Sequence, residues 1–212
     1  MSIKKYLPKL FMGLGILTIL IGVGLALYQQ HQNTQATKVT AATGTRAPAV
    51  TKPTANAFND YAVPPDAPRY IYIPKINVKA IVRPLGITKT GQIDAPNNVY
   101  DAGWFTQSSK PGQLGATLVD GHISSWQTHG IFYNLKDLKP GNTVILERGD
   151  GVKISYQVIK SQTYSYNNVD MAAVLSPIQP DTPGLNLITC SGAVIKGTNE
   201  FNERLVVFTK QI

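Results

Sequence analysis

Apolar residues run almost unbroken near one end of this chain and alternate with polar ones toward the other. Across residues 10–28 the only polar side chains are Thr18 and the terminal Tyr28 hydroxyl. As a helix this run would measure about 28 Å at roughly 1.5 Å per residue, close to the thickness of a bilayer hydrocarbon core. Lys4, Lys5 and Lys9 precede it, so the positive-inside rule leaves residues 1–9 in the cytoplasm and sends the rest outward. A cleaved signal peptide is the rival reading. It would need a shorter apolar region and a small-x-small site close behind, whereas Thr40-Ala41-Ala42 lies well past the apolar end. The expectation is a retained single-pass anchor over residues 10–28.

Residues 29–68 show no apolar period. They are rich in Thr, Ala, Gln and Asn and contain Pro48, Pro53, Pro64, Pro65 and Pro68, a composition that does not bury enough surface to offset chain entropy. This predicts a flexible stalk, followed by a folded domain over residues 69–212. There the period is two: Val152, Ile154, Tyr156 and Val158 alternate with Lys153, Ser155 and Gln157, the pattern of a half-buried strand. Residues 143–147 form the strand before it, with Arg148-Gly149-Asp150-Gly151 as the hairpin turn. Further strands are expected at residues 70–73, 80–82, 116–120, 185–189 and 204–210, and short helices or helical turns at 131–138 and 169–175. Seven or eight short strands with scattered turns describe a mainly β domain, either a closed barrel or a sandwich. We take the barrel.

Composition supports that choice. The chain has 18 Gly, 14 Pro and only 15% charged residues, which argues against a helical bundle. Its net charge of +8 is misleading, because the first 59 residues hold six Lys or Arg and no acid. From Asp60 onward 14 basic residues face 12 acidic ones, so the folded part lacks the basic excess of a nucleic-acid binder. One cysteine, Cys190, excludes an intramolecular disulfide and a cysteine zinc cluster.

The candidate chemistry is sparse. Of three histidines, His31 lies in the stalk, leaving His122 and His129 as possible bases. Cys190 ends one predicted strand, His122 follows another and Arg204 opens the last. A cysteine nucleophile needs a base or cation near its thiol and a donor for the oxyanion. These three supply both if strand ends bring them to a barrel rim. Singly, each has a plainer reading: a small buried thiol, a loop histidine, and an arginine paired with Glu203 at a strand end.

Together the segments resemble a known family. Thr117-Leu118-Val119-Asp120-Gly121-His122 is similar to the histidine segment of sortases, Leu187-Ile188-Thr189-Cys190 to their Thr-Leu-x-Thr-Cys signature, and Arg204-Leu205-Val206-Val207 to their arginine strand. The order and the separations of 68 and 14 residues between the three also suit the family. Supporting similarity lies in Tyr72-Ile73-Pro74-Lys75-Ile76, Gly103-Trp104-Phe105 and Gly130-Ile131-Phe132-Tyr133-Asn134-Leu135. It covers residues 69–212, most like class F, with classes D and E close behind. Asn186 replaces the first signature Thr, and Ile123-Ser124-Ser125-Trp126 replaces the usual residues after the histidine.

The resemblance implies a closed sortase-type β-barrel on an extracytoplasmic tether in a Gram-positive-type cell membrane. It implies a cysteine transpeptidase that cuts a Leu-Pro-x-Thr-Gly-like sorting signal and passes the acyl group to an amine of a peptidoglycan precursor or pilin. Residue by residue, Cys190 is the nucleophile, His122 the general acid or base, Arg204 the oxyanion donor and Thr189 a substrate-site position. No cofactor or metal is implied. Asp120 stands apart as a residue that could orient His122, and Trp126 as one that could line a peptide groove. A papain-like hydrolase places Cys before His, the reverse of the order here. An L,D-transpeptidase signature has Gly before the cysteine and Arg two positions after, where Thr189 and Gly192 stand. The non-enzymatic alternative is a sortase-fold module that binds envelope peptides without turnover.

Overall fold

The computed structural model describes Val23, Gly24 and residues 48–212. The chain divides into two units, residues 1–38 and 39–212. The expected anchor at 10–28, Val23 and Gly24 aside, and the stalk before residue 48 lie outside the described residues. Among those described, no helix is long and apolar enough to cross a membrane.

Eight strands close into a barrel in the order β1-β2-β3-β4-β7-β8-β6-β5. They are β1 (Pro68–Ile73), β2 (Val78–Leu85), β3 (Ala102–Phe105), β4 (Ala116–Gly121), β5 (Thr143–Arg148), β6 (Lys153–Ser165), β7 (Gly184–Val194) and β8 (Phe201–Gln211). Seven or eight were expected, seven of them at named positions. The additional one, β3, is four residues buried on both faces, so it shows none of the polar alternation that marks a half-buried strand. β5 and β6 form the expected hairpin, Thr143 opposite Gln157 through Glu147 opposite Lys153. The helical pattern at 131–138 yields only a 3-10 turn, Leu135–Asp137. That at 169–175 yields one turn of α-helix, α2 (Met171–Val174), whose N-cap Asp170 accepts a hydrogen bond from the Ala173 N–H.

The alternation of β7 divides the apolar residues into two cores. Leu185 and Leu187 join Val119, Leu205, Val207 and Phe132 inside the barrel. Ile188 joins Leu118, Val206, Phe208, Phe105 and the buried Met171 and Val174 of α2 in a second cluster on the outer face. Asn186 serves the outer layer: its amide donates to the carbonyls of Val174 at 2.7 Å and Ser176 at 3.0 Å, satisfying the end of α2. That accounts for an amide where the family signature has a hydroxyl.

Part of the segment read as stalk packs on the barrel. Helix α1 (Ala55–Asn59) is N-capped by Thr54, and Phe58 stacks on Tyr70 of β1 with ring centroids 4.3 Å apart. Further upstream, Ala49 makes a parallel bridge to Asn98. The composition of residues 48–68 shows no apolar period because their docking uses isolated aromatics and backbone groups.

Candidate active site

Strand register assembles the site on the outer face. In β7, Ile188 and Cys190 point the same way. Cys190 pairs with Arg204 of β8, and Ile188 pairs with Asp120 of β4 on its other side. His122 follows two residues after Asp120 at the end of β4. The apolar outer cluster thus gives way, along the same face of three adjacent strands, to a thiol, an imidazole, a carboxyl and a guanidinium. His122 directly follows β4 as expected, but Cys190 and Arg204 are not at strand ends: Cys190 is the seventh residue of β7 and Arg204 the fourth of β8. The two strands continue past them as a paired extension, with a bulge between Ser191 and Val194 where Gly192 adopts φ +78°.

A cavity of about 290 Å³ opens here, lined by His122, Cys190, Ile123, Trp126, Val194 and Phe201 among others. Trp126 is 79% exposed and Val194 51%, an apolar wall open to solvent beside the thiol. Pro48 also lines it. Arg204 is not among its walls. It is 2% exposed, donating from Nη1 to the carbonyls of Phe201 and Glu203, both at 2.9 Å, and from Nη2 to Glu200 Oε2 at 3.3 Å. Glu200, which nothing in the sequence singled out, therefore neutralises the guanidinium from the β7–β8 turn.

Loss of hydration pushes the Cys190 thiol up to about 11. The Arg204 charge pulls it down, while Asp120 and Glu200 add to the rise. At neutral pH the Cys190 side chain therefore rests as a thiol. Asp120 is likewise raised by burial, to about 6, against the attraction of His122 and Arg204 and a hydrogen bond from the Gly121 N–H. The His122 ring is anchored by Nε2, 2.7 Å from the Pro96 carbonyl oxygen. A carbonyl only accepts, so Nε2 carries a proton and Nδ1 is the nitrogen available to exchange one. The backbone after His122 is tight: Gly130 donates to the Ile123 carbonyl at 2.8 Å, and a Cβ on Gly130 would stand 2.1 Å from the His122 carbonyl oxygen.

Thr189, expected as a substrate-site position, is 1% exposed and donates to the Gly121 carbonyl at 2.7 Å. His129 is outside the cavity lining; it stacks on Tyr133 at 3.5 Å. Among the described residues no group of three or more His, Cys, Asp or Glu is placed to hold a metal. The arrangement suits acyl transfer: a thiol and an imidazole share one cavity, and a buried cation sits on the neighbouring strand.

The Sortase domain family model matches residues 71–212, and no curated protein matches the chain. Solved structures with this fold include the pilus-related sortase C of Group B Streptococcus, at TM-score 0.58 and 21% identity over 91% of this chain and 89% of that one. Sortase C of Streptococcus pneumoniae aligns at TM-score 0.55 and 20% identity, covering 87% of each chain. A sortase D5 transpeptidase of Clostridium perfringens aligns at 0.51 and 20%, over 73% of this chain and 84% of that one.

Proposed function

The chain belongs to the sortase family, a family of cysteine transpeptidases, and from that premise we infer that it cleaves Leu-Pro-x-Thr-Gly-like sorting signals at an extracytoplasmic membrane face. The observation that carries this reading is the meeting of Cys190 and His122 in one cavity, with Arg204 opposite Cys190.

The Cys190 sulfur attacks the Thr carbonyl of the signal, and its proton passes to His122. The tetrahedral oxyanion is stabilised by the positive charge of Arg204, which stands opposite Cys190 on β8 behind the cavity wall. Collapse breaks the Thr–Gly bond, and the departing amine takes its proton from His122. A second amine, from a peptidoglycan precursor or a pilin, gives a proton to His122 and attacks the thioester. The new amide forms and the thiol returns. Each half-reaction uses the same imidazole in opposite directions.

The membrane reading rests on residues 1–28, with the acceptor supplied at the outer face. Incubating the full chain with Leu-Pro-x-Thr-Gly, Leu-Pro-x-Thr-Ala and Leu-Ala-x-Thr-Gly peptides and a panel of amines tests the proposal by intact mass. An acyl adduct and a ligated product that both vanish in Cys190→Ala are expected. A high thiol pKa is also what a peptide-binding module without turnover would have. Peptide binding with no adduct across the panel would establish that alternative.

A further inference from the structure

The residues just upstream of the barrel connect by hydrogen bonds to the ring of His122. Ala49 N–H donates to the Asn97 carbonyl at 2.7 Å, and Val99 N–H donates to the Ala49 carbonyl at 2.9 Å. The Asn98 side-chain amide donates to the Thr51 carbonyl at 2.8 Å. One residue before Asn97, the carbonyl of buried Pro96 receives His122 Nε2 at 2.7 Å.

The coupling between these bonds is geometric. Proline fixes φ at position 96, so the direction of its carbonyl depends on ψ, and therefore on where the Asn97 peptide is held. Asn97 is exposed and outside any strand. Of the neighbouring backbone groups, the Val99 carbonyl is held from the barrel side by Ile131 N–H at 2.9 Å. The Asn97 carbonyl and the Val99 N–H are held from the other side by Ala49. Without Ala49 both lose their partner and the Pro96–Asn97 peptide plane is free to rotate away from the imidazole. Pro48, adjacent to the bridge, forms part of the cavity wall.

We propose that residues 48–51 are a positioning strap of the active site: they fix the Pro96 carbonyl, which holds His122 protonated at Nε2 and leaves Nδ1 to move the proton. The catalytic unit then begins at residue 48, inside the segment whose composition reads as stalk. The strap does no chemistry; it sets the orientation of the residue that does. This rests on His122 being the proton-transfer residue of the reaction above.

The test uses the full chain. Ala49→Pro removes the N–H that holds Asn97, and Ala49→Gly keeps it. With a sorting peptide that the unaltered chain turns over, Ala49→Pro is expected to lower kcat about tenfold with KM within about twofold, as for a displaced catalytic group. Ala49→Gly should retain most of kcat. In parallel, the imidazole nitrogen resonances of His122 should show a fixed Nε2–H form in the unaltered chain and a mixture of tautomers in Ala49→Pro. Unchanged kcat and unchanged His122 resonances would overturn the proposal. So would faster turnover with a lower KM, which would make the segment a cover over the cavity. If no peptide is turned over by the unaltered chain, the resonances still decide the positioning claim, while the transpeptidase reading fails separately.

Discussion

Thr189 donates its hydroxyl hydrogen bond to the carbonyl of Gly121 across the parallel β4–β7 pair, at 2.7 Å in a fully buried setting. The residue before the thiol is thus bonded to the residue before the imidazole. Cys190 and His122 come from strands 68 residues apart in sequence, and this bond lies at the point where their relative height is set.

Thr189→Val keeps the shape and deletes the donor, leaving the Gly121 carbonyl buried without that partner. The expected cost is about 1–3 kcal/mol, read as a fall in the melting temperature of about 2–4 °C per kcal/mol. Turnover should fall with KM little changed, because the spacing between the Cys190 thiol and the His122 imidazole is lost rather than peptide contact. Thr189→Ser, which keeps the donor, should recover most of the turnover. A Thr189→Val variant with lost peptide affinity and full kcat would instead make Thr189 a substrate contact.

Arg204 faces Cys190 in the β7–β8 ladder, yet its guanidinium is committed to two backbone carbonyls and to Glu200. Lysine at this position keeps the charge but loses the fork that allows several fixed hydrogen bonds at once. Arg204→Lys is expected to lower kcat/KM by about 10²–10³-fold, the scale of losing one oxyanion donor, measured by product ligation under single-turnover conditions. A loss below about threefold would remove Arg204 from the oxyanion role.

Trp126 tests the cavity wall. It is largely exposed, so its removal costs little core packing. Trp126→Ala should raise KM for the sorting peptide several-fold, with kcat and melting temperature nearly unchanged, as expected when uniform binding is lost. A change in kcat at constant KM would show that the indole orders the loop carrying His122 rather than the peptide.

Where the sequence was legible, one periodicity dominated. The β5–β6 hairpin could be read because each strand has one wet face. β3 could not, because Ala102, Gly103, Trp104 and Phe105 are buried on both faces and show no alternation. The cysteine, histidine and arginine were legible through their segments. Their burial was not, since Arg204 inside a β-ladder has the same local sequence as an exposed strand end. Glu200 escaped because its role arises only when the β7–β8 turn folds back over Arg204. Pro96 escaped because its contribution is a backbone carbonyl, which no residue type advertises. The docked part of the stalk escaped for the same reason: Ala49 acts through its N–H and carbonyl.

Asp120 provides a prediction with a defined sign. Burial raises its carboxyl from 3.8 to about 6 in the folded chain, so between those values the folded state holds the proton more tightly than the unfolded state. The stability this contributes is fully present below about pH 4 and is lost as pH rises through 6. Asp120→Asn carries no titrating group. Relative to the unaltered chain, its melting temperature should therefore rise progressively from pH 4 to pH 7.5. The same carboxylate raises the Cys190 thiol. Removing it should move the alkylation midpoint of Cys190 below about 11 and speed alkylation at pH 8. A pH-independent difference in melting temperature, with alkylation unchanged, would show that Asp120 does not titrate within the site.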